Sequence, residues 1–205
     1  MRALTGTGYR SCTVSAPSIL DEVERAVSDH FGQTPKRASV SFVGVDPIQV
    51  LRFEPIPGEL AYVTLGMSAL PMTAAAEVMV SPDGPRAELM LHLREGPAGF
   101  SEVWRQLAVL AAAPAVEGVV YRADMTVDLG VALAGGSSCT GGVLDNSPLL
   151  PVVTGAGPVD VLQVVPATQN ELAWCRVRGA AALRERWTAQ HVDLLDLGRR
   201  TVVLD

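Results

Sequence analysis

The sequence predicts an α+β fold in which a mixed β-sheet is covered by helices. The chain has 205 residues, of which 48% are apolar, enough to build one sizeable core. Segments with a helical period are interspersed irregularly with short strand-like segments, which favours a mixed sheet over a regular doubly wound one. We expect a single domain, in which residues 1–34 form an N-terminal segment with an amphipathic helix and residues 35–205 form the rest.

The first half of the chain predicts one helix followed by four strands. Apolar residues recur at three- and four-residue steps from Ser18 to Phe31, with Ser18 as the cap and Gly32 as the end of the helix. The strands are expected at 38–43, 48–53, 60–67 and 86–94, where β-branched and aromatic residues lie between turn residues. In the last of these, Glu88 and His92 alternate with leucines, which is the period of a half-buried strand.

The second half predicts three helices and further strands. A helix is expected from Phe100 to Ala113, ended by Pro114. After it we expect a strand at 125–133, a glycine-rich flexible loop at 135–142 and extended segments at 143–153 and 159–165. Thr168 and Glu171 form a capping box that opens a helix to about residue 178. A helix at 180–189 follows, and then a closing hairpin from 191–197 and 201–204.

Composition excludes several classes of function. The chain carries 16 basic and 22 acidic residues, a net charge of −6, with no basic stripe, so we expect no nucleic-acid partner. Its single lysine, Lys36, does not follow the glycines of a phosphate-binding loop. The longest apolar stretch, 107–116, is too short to span a bilayer, so no membrane partner is expected. Three widely spaced cysteines and the lack of an N-terminal apolar leader predict a cytoplasmic protein.

Two sets of residues are candidates for chemistry, and neither is a complete site. Cys139 lies in Ser-Ser-Cys-Thr-Gly, which is similar to a nucleophile elbow but lacks the glycine two residues before the nucleophile. Glu88 and His92 share one face of a predicted strand, where such a pair can act as acid and base or bind a metal, but no third ligand is near. A small-molecule hydrolase or transferase using Cys139 or the Glu88/His92 pair is therefore the alternative function. The simpler interpretation is an incidental cysteine and a solvent-facing polar stripe, with no metal and no cofactor.

The order of four motifs resembles the suppressor-of-fused (SUFU) domain family. These motifs are the strand Tyr62–Leu65 with its Gly-Met-Ser turn, the strand Glu88–Leu91, the helix with Trp104, and the P-x-T-x-x-E-L pattern at 166–172. They cover roughly residues 35 to 190. The resemblance implies the architecture of the SUFU N-terminal domain, in the single-domain form found in bacteria.

The resemblance also implies a non-catalytic binding domain. Animal members sequester a transcription-factor peptide, and bacterial members are regarded as immunity proteins that neutralise toxins. We therefore expect a protein partner, and the net charge of −6 suits a cationic toxin. The expected contact residues are motif or polar-face positions: Met67, Ser68, Glu88, His92 and Trp174. The sequence leaves the oligomeric state open.

Overall fold

A computed structural model describes residues 17–77, 81–96 and 102–205. In these ranges the helices are α1 (Ile19–Phe31), α2 (Val103–Glu117), α3 (Gln169–Arg178) and α4 (Ala180–Ala189). The strands are β1 (Lys36–Phe42), β2 (Val45–Phe53), β3 (Glu59–Leu65), β4 (Arg86–Arg94), β5 (Thr126–Asp128), β6 (Cys139–Asn146), β7 (Val152–Thr154) and β8 (Gly157–Thr168). None of the helices in the described ranges is both long and apolar enough to cross a membrane.

The strands form one mixed sheet, which confirms the predicted fold class. Its order is β1-β2-β3-β4-β8-β6-β5, and the short β7 also pairs with β8. Neighbouring strands are antiparallel except for β4 and β8, which run parallel with Arg86 opposite Val159. This parallel pairing joins a meander of four strands to the second half of the chain.

Helices cover the sheet in three places. Helix α1 packs its apolar side on one face, where Val23 and Val27 are fully buried against β2, β3 and the start of β8. Helix α2 packs on the opposite face through Leu107 and Ala111. Helices α3 and α4 cover the β6–β8 end, where Trp187 is buried. Strand β4 is consequently buried on both faces, so the prediction that it is half-buried, with Glu88 facing solvent, is wrong.

The predicted cap at Ser18 and the predicted capping box at Thr168 are both confirmed by hydrogen bonds. The Asp21 backbone N–H donates to Ser18 Oγ over 3.2 Å, and the Ser18 backbone N–H donates to Asp21 Oδ2 over 2.9 Å. The Thr168 backbone N–H donates to Glu171 Oε2 over 2.9 Å, and the Glu171 N–H donates back to Thr168 Oγ1. Such reciprocal bonds satisfy amides that a helix leaves without partners at its start.

The prediction that Pro114 ends the second helix is wrong. Helix α2 continues through it to Glu117 and ends at Gly118, which has a φ of 66°. A proline inside a helix leaves the carbonyl four residues earlier without its usual donor. Here that carbonyl belongs to Leu110, and the Tyr121 hydroxyl donates to it over 2.9 Å. The lost bond is thus replaced by a residue beyond the helix.

Three other expected elements differ from the structure. The strand at 125–133 is reduced to Thr126–Asp128. The prediction of a flexible loop at 135–142 is wrong for its second half, because β6 begins at Cys139 and includes Gly141 and Gly142. These glycines are required by close packing: a Cβ on Gly141 would lie 1.9 Å from the carbonyl oxygen of Val127. The prediction of a closing hairpin is also wrong, because residues 190–205 form turns and irregular chain without strands.

Candidate functional site

The Gly-Met-Ser turn after β3 is held by the carboxylate of Glu88. The pairing of β3 with β4 ends at Val63 and Met90, and beyond it the Leu89 N–H donates to Thr64 Oγ1 over 2.8 Å. Glu88, the residue before Leu89, is fully buried. Its Oε1 accepts from the Gly66 N–H over 2.8 Å, the Ser68 N–H over 2.9 Å and Ser68 Oγ over 2.6 Å. Its Oε2 accepts from Thr64 Oγ1 over 2.6 Å.

The opposite side of the same turn is held by Arg86. Its Nη1 donates to the carbonyl oxygens of Ser68 and Ala69 over 2.8 and 2.9 Å. Gly66 lies at a φ of 140°, and a Cβ there would approach the Pro47 carbonyl to 3.1 Å. Together these contacts fix the 3₁₀ turn Met67–Ala69 against the start of β2.

A groove opens beside this turn. It has a volume of about 900 Å³ and is lined by the β1–β2 turn, by residues 66–75 and by the C-terminal half of α2. Its walls are mainly aliphatic, with Ile48, Met67, Met72 and Pro114 among them. We call it the apolar groove.

The five expected contact residues do not form one surface. Met67 is largely buried and lines the apolar groove, whereas Ser68 and Glu88 are fully buried and hold the turn behind it. His92 is partly exposed, and its Nε2 lies 2.8 Å from Glu59 Oε2. Trp174 is partly buried on α3, in the cluster at the β6–β8 end of the sheet.

Glu88 and His92 are not brought together as an acid–base pair. They are four residues apart on an extended strand, which separates them by about 13 Å. The Glu88 carboxylate is committed to the turn, and the His92 imidazole faces Glu59. In the described ranges no group of three or more His, Cys, Asp or Glu residues lies close enough to hold a metal ion.

Cys139 is placed as a core residue. Its side chain is fully buried in the cluster under α2. Burial raises the pKa of the Cys139 thiol, and the positive charge of Arg199 offsets only part of this effect. A nucleophilic cysteine needs a lowered pKa and access to substrate, and Cys139 has neither in this structure.

The most elaborate polar contact was not predicted from the sequence. Arg199 and Glu171 form a buried bidentate ion pair, with Nη1–Oε1 at 2.7 Å and Nη2–Oε2 at 2.8 Å. Arg199 Nη2 also donates to the Pro166 carbonyl over 2.8 Å, and the Val202 N–H donates to Glu171 over 3.0 Å. Burial alone would raise the pKa of Glu171, but the hydrogen bonds from Arg199 and the backbone lower it overall.

This ion pair ties the C-terminal segment to the start of α3. The capping box revealed the local role of Glu171 at the helix start. Nothing near Arg199 in the sequence indicates that it reaches Glu171, 28 positions earlier. The need for a distant cation comes from the burial of Glu171, which the capping box does not reveal.

The fold and these contacts define a class of protein: a mixed-sheet α+β domain whose buried polar side chains brace the backbone around an open apolar groove. The family model for the suppressor of fused protein (SUFU) matches residues 44–200. The chain therefore belongs to the SUFU family, as the sequence motifs predicted. A search of curated protein sequences finds no match to this chain.

Solved structures of the same family share the fold at low sequence identity. A SUFU homolog from Neisseria gonorrhoeae superposes with a TM-score of 0.63 at 15% identity, over 90% of this chain and 96% of that one. The structure of a Sufu–Fu complex gives a TM-score of 0.64 at 13% identity, over 88% and 86% of the two chains. Drosophila Suppressor of Fused gives 0.63 at 15% identity, and the match spans 90% of this chain and 50% of that protein.

Proposed function

We propose that this chain is a non-catalytic domain that acts by binding a partner protein. Membership of the SUFU family, over residues 44–200, carries the proposal. A similar solved structure is that of a complex between Sufu and a second protein, Fu. A protein partner is therefore the class of ligand that this family and fold support best.

The polar residues of the described chain support binding rather than turnover. The Glu88 carboxylate accepts three hydrogen bonds from the turn that it braces and a fourth from Thr64 in β3. The Cys139 thiol is buried, and its pKa is raised. We propose that Met67 contacts the partner directly and that Ser68 and Glu88 hold Met67 in position. His92 and Trp174 are proposed as further contacts on other parts of the surface.

The finer proposal is an immunity-type role in the cytoplasm, in which the chain sequesters a cationic toxin. The net charge of −6 supports this, because opposite charge accelerates the encounter between two proteins. Within the described ranges, Cys139 and Cys175 are buried and form no disulfide, which is consistent with a reducing compartment.

The test is recovery of the partner and measurement of its neutralisation. The chain, tagged and expressed in its native host, is expected to purify with one basic protein at a 1:1 ratio by size-exclusion chromatography and mass spectrometry. An unrelated acidic protein of equal size and net charge controls for capture by charge alone. Expression of the recovered protein alone is expected to arrest growth, and co-expression of this chain is expected to restore it.

Different outcomes separate the proposal of protein binding from the proposal of an immunity role. The absence of any stoichiometric partner would contradict protein binding itself. A partner whose expression does not impair growth would contradict the immunity role and leave protein binding intact. Growth rescue is expected to survive Cys139→Ser. Loss of rescue by a folded form of this variant would favour the hydrolase or transferase alternative.

A further inference from the structure

The apolar groove has a preformed shape. Its two sides meet at Gly118 and Ala75, where the Ala75 N–H donates to the Gly118 carbonyl over 2.8 Å. A Cβ on Gly118 would lie 2.8 Å from Ala75, so the glycine permits this approach. On the other side, Gly66 lies against Pro47 and Ile48 in the same way. A groove that needs no rearrangement loses less entropy when a ligand binds.

The apolar lining of the groove continues onto the surface at Leu70. This residue follows the 3₁₀ turn, lines the groove and is mostly exposed. A single exposed aliphatic residue is ordinary on a protein surface. Beside a groove whose walls are mainly aliphatic, it enlarges the apolar area that a partner can cover.

The charged residue that lines the groove is acidic. The lining includes Asp46, which is exposed, and no lysine, arginine or histidine. Two further exposed carboxylates, Glu77 and Glu117, lie within two positions along the chain of the lining residues Ala75 and Gly118. The C-terminal end of α2, the negative end of its dipole, lies at the same place. The buried Arg86 behind the turn is committed to backbone carbonyls.

We propose that the apolar groove binds a segment of the partner protein in which a cluster of apolar side chains is flanked by arginine or lysine. The apolar side chains fill the groove, and the flanking cations face Asp46, Glu77 and Glu117. An anionic membrane surface is disfavoured because the same carboxylates would repel its headgroups. This inference rests on the proposed function, because it specifies which surface the partner occupies and with what chemistry.

The probe is a phage-displayed library of random 12-residue peptides, selected on the folded chain and then synthesised for affinity measurement by fluorescence anisotropy. Two variants test the groove. Ala115→Trp places a large ring on an exposed helical position of the lining, and Asp46→Arg reverses the charge of the exposed lining carboxylate. Their matched controls lie on α4: Ala181→Trp, also at an exposed alanine, and Glu185→Arg, also at an exposed acid. Circular dichroism and thermal unfolding are used to check that each of the four variants folds.

The selected peptides are expected to share apolar residues flanked by arginine or lysine. Ala115→Trp is expected to weaken their binding at least about tenfold, as the loss of a well-filled central pocket does. Asp46→Arg is expected to weaken it about three- to tenfold, with the difference decreasing as salt is raised. Neither control variant is expected to change affinity.

Several outcomes would overturn the proposal. These are selected peptides that are neutral or acidic, failure to select any peptide, and equal binding to the wild type and to Ala115→Trp. A dimer that Ala115→Trp dissociates would show that a second copy of the chain occupies the groove. A stoichiometric partner complex that is unaffected by Ala115→Trp would refute the groove and leave the proposed function standing. Absence of any partner would contradict both.

Discussion

Replacing Arg199 with methionine is expected to destabilise the domain strongly. The substitution keeps an unbranched side chain of moderate length but removes the guanidinium. Glu171, which is fully buried, would keep the donors at the Thr168 and Val202 backbone and lose both bonds from Arg199. The carbonyl of Pro166 would also lose its bond to Arg199.

The size of the effect follows from the bonds that are lost. Two hydrogen bonds to a charged group contribute about 1.5–3 kcal/mol each, and removal of one partner of a buried ion pair costs about 3–5 kcal/mol. We expect Arg199→Met to lower the free energy of unfolding by about 3–5 kcal/mol, and the melting temperature by roughly 6–20 °C for a chain of this size. Arg178→Met, at an exposed arginine in the last turn of α3, is the matched control and should change little.

The measurement is urea unfolding followed by tryptophan fluorescence and circular dichroism between pH 4 and pH 7. The pKa of Glu171 is lowered in the folded protein from its ordinary value of 4.5. A lowered folded-state pKa stabilises the protein above the unfolded pKa, and this contribution is lost as pH falls through the folded one. In Arg199→Met, burial would dominate and raise the pKa of Glu171. The difference in free energy of unfolding between the wild type and Arg199→Met should therefore be largest at pH 7 and decrease as the pH is lowered.

A double variant separates the ion pair from simple packing. Glu171→Leu with Arg199→Met removes both charges, and we expect it to cost clearly less than the sum of the two single substitutions. The reasoning would be refuted by a loss below about 1 kcal/mol for Arg199→Met at pH 7, or by a deficit that does not change with pH.

Three further expectations concern buried positions. Glu88→Gln should lower the free energy of unfolding in urea by about 2–3 kcal/mol, because an amide nitrogen would face donors of the turn; a change below about 0.5 kcal/mol would contradict its bracing role. Gly141→Ala should cost at least about 2 kcal/mol by clashing with the β5 backbone, whereas Gly155→Ala, whose Cβ would meet nothing within 4 Å, should be nearly neutral in the same assay. Once Cys12→Ser removes the third thiol, the two buried cysteines should react with a thiol reagent only after unfolding, and rapid labelling of the native protein would contradict their burial.

The local parts of the fold were predictable from the sequence because their determinants are adjacent. The boxes at Ser18 and Thr168 use residues three positions apart, and both helices begin where predicted. The assignment of the four strands of the meander also succeeded, since turn residues separate them.

The predictions failed where a distant residue supplies a bond. Pro114 remains inside α2 because Tyr121 compensates for the missing N–H. The C-terminal chain forms no hairpin in the structure, where Gln190 and Glu171 take up the backbone N–H groups of Val203 and Val202.

The candidate site was predicted only in part for the same reason. The Gly-Met-Ser motif marks the correct turn, and Met67 does line the groove. The role of Glu88 could not be recognised, because an alternating pattern does not show that both faces of β4 are covered. The groove itself joins segments from three parts of the chain and has no local sequence signature.

The position of β1 as an edge strand has a consequence for aggregation. Its outer side pairs with no strand in the described chain, and an unpaired edge can template pairing with another molecule. The strand begins with Lys36 and Arg37, both exposed, and serines at 39 and 41 are exposed as well. Charged residues on an edge strand, lysine above all, oppose edge-to-edge pairing between molecules. The only lysine of the chain thus lies where a positive charge best keeps copies of the protein apart.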